Sequence, residues 1–441
     1  MDRIPPELLI HIFHFLDGPA PSEVHLHDQP SDDMVHARSK KLKTASLVCK
    51  SWRSLVLPSL FRHILWRPKL SSLSAFTLNP IPLLRFLEDN RLDHRVITFT
   101  LLVDFVDKEA DVRRITPEIR SVDLEWLWDQ LFSVVDPLRF TIIAPPTTLA
   151  AFLSRMLFLD DAWTFSIPYH VLSLARANRG IVRESPSNEP LDGRGTDLEA
   201  PSPENGVAGP SRSTTASPRT CSFRYKRPPP CPLFTVRPWT SILLNEGSST
   251  KVYRVYEFFL RRPPSMLGAL LGCEEYPNDK PLLPPTIVDF NYIAVFPLSS
   301  HFEILLQNLP KLDRLFVQLT PRPNNPLLED KDEMKHIDPA DLWMERNSSY
   351  SLIMRELTAS PQPRGNWATL QIFESGDSAD QEAWERAVEF VEISGVKDWK
   401  VEREGVLVKQ GEDGNSSAVS LVTNGHSAGV TNTLGSNFLD R

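Results

Sequence analysis

Amphipathic helical runs alternate with short runs of β-branched and aromatic residues, and this alternation constrains the fold more than any other feature of the chain. Strand candidates begin at positions 96, 139, 285, 312 and 367, where the sequences are VITFTLLV, RFTIIA, PTIVDF, LDRLFVQL and WATLQIF. Helix candidates begin at positions 81, 123, 147, 300 and 378. Because strands that alternate with helices usually pair in parallel through crossover connections, the sequence predicts an α/β fold.

One of these units resembles a leucine-rich repeat. The stretch FEILLQNLPKLDRLFVQL, from Phe302, reads as a helix that leads into a short strand. The other strand candidates are spaced irregularly, often much further apart than the repeat length of roughly twenty to thirty residues. The resemblance implies a degenerate, leucine-rich-repeat-like α/β solenoid, and an irregular single α/β domain is the alternative.

Two segments differ sharply in composition from the rest of the 441 residues. Both are rich in small and polar residues and hold very few large apolar side chains, so they cannot offset the entropy of ordering the chain. We therefore expect a disordered Pro/Ser-rich insertion at 185–232 and a disordered tail at 410–441. The rest of the chain divides into a helical module at 1–66, with an inserted loop at 17–40, and α/β regions at 67–184 and 233–409.

Charge and cysteine content narrow the functional classes. With 48 Lys and Arg against 56 Asp and Glu, the net charge of -8 argues against a dominant nucleic-acid role. The 4 cysteines form neither a disulfide framework nor a paired CxxC site, which favours a reducing compartment, the cytoplasm or the nucleus. The longest apolar stretch is broken by Pro145, Pro146 and Arg155, so no membrane span is expected.

The sequence contains no recognised catalytic or cofactor motif. No P-loop, GxSxG, HExxH or glycine-rich dinucleotide turn occurs, so we expect neither enzymatic activity nor a cofactor. A hydrolase or transferase domain with an unrecognised site is the alternative. The HLHD run at residues 25–28 contains possible metal ligands, but no second cluster stands at a recognised spacing, so a solvated loop is favoured over a metal site.

Two short amphipathic stretches stand near the N-terminus. In DRIPPELLIHIFHFLDGP, Pro5 suits a first helical turn, and Gly18 with Pro19 gives a stop signal. In LKTASLVCKSW and the residues after it, one sector of a helix would hold Leu42, Ala45, Val48, Cys49, Trp52 and Val56. This phase predicts that Cys49 packs on an apolar face, and the alternative is a reactive thiol, which would need exposure and a helix N-terminus or a cation. Helices this short cannot bury a large core, so we expect a partner protein to cover them.

Together, IPPELLIHIFHFL and LKTASLVCKSWRSLVLPSLFRHILW resemble an F-box. The pattern of that family is a Leu/Ile-Pro-x-Glu-Leu-Leu helix followed by a segment that contains Val-Cys-Lys/Arg-x-Trp. Its two halves normally lie only a few residues apart, whereas residues 17–40 separate them here. Because the cost of closing a loop grows slowly with its length, we expect a looped insertion that leaves both helices intact.

The F-box resemblance implies a function and a set of partners. An F-box docks on a Skp-family adaptor of an SCF-type cullin-RING ubiquitin ligase, and the remainder of the chain binds a protein substrate. An F-box protein that works with the adaptor as a non-ubiquitylating scaffold is the alternative. Carried over to this sequence, the resemblance assigns adaptor binding to Ile4, Pro5, Leu8, Leu9, Ile12, Leu16, Leu42, Val48, Cys49 and Trp52.

Overall fold

The structure is a computed structural model. It describes residues 4–30, 34, 40–68, 78–103, 119, 121–157, 169–179, 231–260, 265–275, 278–359, 365–395 and 398–410. The composition-based segments at 185–232 and 410–441 lie almost entirely outside the described residues. No helix within the described part of the chain is both long and apolar enough to cross a membrane.

A single mixed sheet of ten strands organises the described residues. The strands are β1 (His63–Trp66), β2 (Thr98–Leu102), β3 (Arg139–Ala144), β4 (His170–Ala175), β5 (Ser241–Ser248), β6 (Asp289–Val295), β7 (Arg314–Gln318), β8 (Ile372–Ser375), β9 (Trp399–Arg403) and β10 (Val406–Lys409). Their spatial order is β1-β2-β3-β4-β5-β6-β7-β8-β10-β9, so almost every strand pairs with the next one along the chain.

Strand direction follows the predicted parallel pairing only in part. The pairs β1–β2, β2–β3, β5–β6, β6–β7 and β7–β8 are parallel. In contrast, β4 runs antiparallel to both of its neighbours, and β10 runs antiparallel to β8 and β9. The fold is therefore α/β, as the sequence predicts, with a mixed sheet. The unit from Phe302 forms a helix and β7, but the leucine-rich-repeat resemblance of the whole region is not confirmed.

Eleven α-helices accompany the sheet in the described residues. They are α1 (Pro6–Leu16), α2 (Pro21–Val24), α3 (Lys40–Ser46), α4 (Lys50–Leu60), α5 (Ile81–Asp89), α6 (Ser121–Val134), α7 (Pro146–Phe152), α8 (Leu267–Leu271), α9 (Ser299–Gln307), α10 (Pro339–Leu357) and α11 (Gln381–Ile393). The largest core forms between one face of the sheet and helices α5 to α11. Alternate strand residues such as Phe140, Ile242 and Tyr292 point into it and are almost fully buried.

The second face of the sheet carries a smaller apolar patch, the back-face patch. Most of its residues lie on the strands and alternate with those that face the main core; Tyr169 comes just before β4. The residues are Leu102, Ile143, Tyr169, Val171, Leu243, Ile293 and Phe316. Leu26 and Met34, from the segment that separates the halves of the N-terminal module, complete this cluster. The face opposite the helices is therefore covered by the inserted segment between β2 and β7.

Candidate functional site

The N-terminal helices build a small core of their own. Leu9 and Phe13 on α1 pack against Leu42 and Ala45 on α3 and Val56 on α4, all of which are buried. The ring of Trp52 meets Phe13 edge to face, with 5.3 Å between ring centroids. The three short helices α1, α3 and α4 thus share one core, and the side of each helix that faces away from this core is free to contact other parts of the chain or a partner.

The outward face of α1 carries large apolar side chains that the described residues leave exposed. Leu8 is 55% exposed and Ile12 48% exposed, and their four-residue spacing puts them on the same side of the helix. Ile4, just before the helix, is 41% exposed. Phe15, which the sequence assignment omits, is the most exposed apolar side chain of α1 at 86%. We call Ile4, Leu8, Ile12 and Phe15, together with Leu47 and Val48, the docking face.

Residues 47–49 interrupt the helix that the sequence predicts across this region. Helix α3 ends at Ser46, and α4 begins at Lys50. Cys49 lies between them with an extended φ of -159°, and its sulfur accepts a hydrogen bond from the backbone N–H of Trp52 at 3.4 Å. The prediction that Cys49 lies within a continuous apolar helix face is therefore wrong. Cys49 is the exposed N-cap of α4, and the break turns Leu47 and Val48 outward.

The structure divides the ten residues assigned by resemblance into two groups. Those with exposed side chains are Ile4, Pro5, Leu8, Ile12, Val48 and Cys49. Leu9 and Leu42 are only 6% and 2% exposed and lie in the core of the module, so they shape the docking face without forming its surface. Leu16 and Trp52 are half-buried against the same core. Phe15 and Leu47 extend this exposed surface. The exposure of Phe15 depends on how α1 packs, and that of Leu47 depends on the break between α3 and α4.

A family model described as F-box-like matches residues 1–67. The N-terminal module is an F-box-like domain. Such a domain indicates an adaptor role in SCF-type ligases, and F-box domains generally bind Skp1-type adaptors. Comparison with curated proteins and with solved structures finds no match to this chain.

The F-box is joined directly to the sheet. Helix α4 is followed by β1, so the last residues of the predicted helical module, His63–Trp66, are the first strand of the sheet. The carbonyl of Arg62 accepts hydrogen bonds from the N–H groups of Ile97 and Thr98 at 2.8 and 3.2 Å. The F-box and the α/β region therefore share backbone hydrogen bonds as well as a chain connection.

The insertion inside the F-box binds the back of the sheet through specific polar contacts. The amide of Asn245 on β5 donates to the carbonyls of Leu26 and Asp28, both at 2.8 Å. Gln318 on β7 donates to the carbonyl of His27 at 3.1 Å. These bonds satisfy backbone groups that the insertion would otherwise bury unpaired. The segment at 20–28 is thus an ordered strap rather than a solvated loop.

Histidines of the HLHD run belong to this strap. His27 packs edge to face on Phe316, with ring centroids 4.8 Å apart, and burial together with nearby arginines lowers its pKa to about 4. His25 Nδ1 lies 2.6 Å from the carboxylate of Asp28, which also pairs with Arg322 at 3.3 Å. No group of three or more His, Cys, Asp or Glu side chains in the described ranges is placed to hold a metal ion.

A second candidate site lies far along the sheet from the F-box, between α10 and α11. This cleft of about 490 Å³ has aromatic walls that include Trp343, Tyr350, Trp384 and Phe390. The guanidinium of Arg346 stacks on Tyr350, with its central carbon 4.7 Å from the ring centroid. Its Nη1 lies 3.3 Å from the carboxylate of Asp380, and its Nε has no hydrogen-bond acceptor among the described residues.

The base of this cleft is fixed to the ends of two strands. Asp377, just after β8, accepts hydrogen bonds from the N–H groups of Leu319 and Thr320, just after β7, and from the hydroxyl of Tyr350 at 2.7 Å. Burial raises the pKa of Asp377, and these donors oppose that effect. The cleft therefore combines a rigid polar base with apolar walls, a common arrangement for ligand sites.

Proposed function

We propose that this chain is the substrate-recognition subunit of an SCF-type ubiquitin ligase. The observation that carries the proposal is the docking face on an F-box-like domain, because exposed apolar side chains grouped on a small module mark a protein interaction site. Its partner is a Skp-family adaptor, which links the chain to the cullin and RING subunits. The chain has no chemistry of its own and works in the cytoplasm or the nucleus.

The substrate is a protein that enters the α10–α11 cleft. Two features support this placement. The strap occupies the apolar part of the back face of the sheet, which removes that surface from contact with a partner. The cleft instead offers large aromatic side chains, which often dominate protein interfaces, beside a buried guanidinium whose Nε meets no acceptor in the described part of the chain. A partner segment with an apolar side chain next to a carbonyl or carboxylate group fits this combination.

Affinity purification joined to proximity labelling tests both parts of the proposal. The full-length chain, Trp384→Ala and Leu260→Ala are expressed with the proteasome blocked. Leu260 is 65% exposed, belongs neither to the docking face nor to the lining of the cleft, and serves as the matched control. We expect cullin and RING subunits to accompany the adaptor in all three samples. A set of labelled, ubiquitylated proteins should be lost only from Trp384→Ala.

Two results would contradict the proposal. Recovery of the adaptor without cullin and RING subunits would favour the scaffold role. An identical set of labelled proteins with Trp384→Ala and the wild type would remove the α10–α11 cleft as the substrate site.

A further inference from the structure

A basic cleft of about 520 Å³ lies where the F-box meets the sheet. Arg62, between α4 and β1, forms one side. His94 and Arg95, from the turn before β2, and Arg179, after β4, form the others. Half-buried Ile97 and Leu138 supply an apolar lining. The cleft therefore draws its walls from both the F-box and the α/β region.

Positive charge dominates this basic cleft. Three guanidinium groups line it, and none of its lining residues carries a carboxylate. Two carboxylates outside the lining pair with lining residues: Asp17 lies 3.3 Å from Arg62 Nη1, and Asp93 lies 3.5 Å from His94 Nδ1. Two carboxylates against three guanidinium groups leave the cleft with an excess of positive charge.

The three arginines differ in how firmly they are held. Arg179 donates to the carbonyls of His94 and Val96 at 2.5 and 2.6 Å, so its guanidinium is fixed at the cleft. Arg62 donates from Nε to His63 at 3.1 Å, which leaves Nη2 without a described acceptor. Arg95 is exposed and has no ion pair with any described residue. Two held arginines and one arginine without an ion pair to a described residue thus line the same cleft.

We infer that the basic cleft binds a small molecule that carries phosphate groups. Guanidinium groups bind phosphate oxygens through paired, charge-assisted hydrogen bonds, and several of them around one space favour a multiply charged anion. The volume lies in the range typical of small-molecule sites, about 300 to 1,000 Å³. Such a ligand contacts the F-box and the sheet at once. The inference does not depend on adaptor or substrate binding.

Titration calorimetry with inorganic pyrophosphate tests this inference on the full-length chain. We expect saturable binding by the wild type and at least tenfold weaker binding by Arg95→Gln, because one of three cationic groups is lost. Arg62→Gln should weaken binding similarly. Arg355→Gln is the matched control, since Arg355 is 62% exposed on α10, far along the sheet, and it should bind like the wild type. Binding should also weaken as salt is raised.

Several results would overturn the inference. These are the absence of binding at millimolar pyrophosphate, equal affinity of the wild type and Arg95→Gln, and tight binding of a phosphoserine peptide without binding of pyrophosphate. Because Arg95 makes no side-chain ion pair, Arg95→Gln should unfold at the wild-type temperature, and a melting curve without ligand checks this. Arg62→Gln is interpreted only if it passes the same check.

Discussion

At the scale of single residues, His170 is the most unusual titratable group. It is only 1% exposed, and neither of its ring nitrogens has a hydrogen-bond partner among the described residues. The nearby carboxylate of Glu246 is already engaged by the hydroxyl of Tyr292 at 2.9 Å and by His301 at 3.3 Å. Burial lowers the pKa of His170 from 6.5 to about 4. The imidazole is therefore neutral in the folded protein at neutral pH.

This lowered pKa predicts a loss of stability in mild acid. Between pH 6.5 and pH 4 the unfolded chain binds a proton at His170 and the folded chain does not, so unfolding becomes more favourable as the pH falls. We expect His170 to account for about 2 kcal/mol of the loss between pH 7 and pH 5. Urea unfolding at both pH values measures it, with His170→Leu as the test variant.

The exposed His336 provides the control for this prediction. His336→Asn should lose as much stability between the two pH values as the wild type, whereas His170→Leu should lose less. An equal loss in all three proteins would show that His170 is protonated in the folded state or titrates normally.

At the scale of elements, the strap is the feature that joins the F-box to the sheet. Its residues are mostly small, polar or histidine, and this composition is typical of a solvated loop. It nevertheless forms α2 and buries Leu26 on the back-face patch. Thr100 on β2 donates to Ser22 at 2.9 Å at one end, and Gln318 on β7 bonds to His27 at the other. The orientation of the F-box is thereby set by contacts across several strands.

Asn245 is the side chain on which the strap most depends, since it binds two of its carbonyls. Asn245→Ala should destabilise the protein by about 1 to 3 kcal/mol because it leaves buried polar groups unpaired. It should also speed amide hydrogen exchange throughout residues 20–28. Asn291→Ala is the control, because Asn291 lies on the same face of the sheet but bonds to Ile242 and Asp289 instead. Equal exchange of the strap in the two variants would contradict this account.

Sequence patterns predicted the strands and helices in which apolar residues recur at regular spacing without an interrupting polar run. Strands β2, β3 and β7 and helices α5, α6, α9 and α11 lie where the patterns indicate.

The patterns do not indicate strand β5, because Asn245, Glu246 and Gly247 interrupt its apolar pattern, although the side chains of Asn245 and Glu246 are buried in the fold. Helix α10 was missed because NSSYS, a run of weak helix formers, occupies its middle. Helix α7 ends at Phe152, earlier than expected, and Ser154 has a left-handed φ of 56°.

The docking face was predicted less completely than the strands. The F-box resemblance assigned Ile4, Leu8 and Ile12 to adaptor binding, and the structure exposes all three. The resemblance assigned Leu9 and Leu42 to the same interface, although both are buried. Whether an apolar side chain faces the core or the outside depends on how α1, α3 and α4 pack, and a sequence pattern alone does not determine that packing. The strap–sheet contacts also join residues more than two hundred positions apart, so no local pattern indicates them.

At the scale of the whole molecule, the F-box and the α10–α11 cleft stand near opposite ends of the strand order. The F-box continues into β1 at one edge, whereas the cleft lies beside β8, after six intervening strands. The strap and the shared backbone bonds tie the F-box to this sheet. Under the proposed function, a protein bound in the cleft is therefore held at a defined separation from the adaptor, as ubiquitin transfer by other ligase subunits would need.

The docking face itself is tested by the affinity of the purified full-length chain for a Skp-family adaptor. We predict that Leu8→Ser with Ile12→Ser weakens binding at least 100-fold, since two central apolar contacts of about 2 kcal/mol each are lost. The melting temperature should change little, because both side chains are about half exposed and neither belongs to the core of the module. Phe259→Ser with Leu260→Ser, an equally exposed apolar pair elsewhere, should bind like the wild type. Wild-type affinity in the Leu8 and Ile12 double variant would contradict the central claim that this face docks the adaptor.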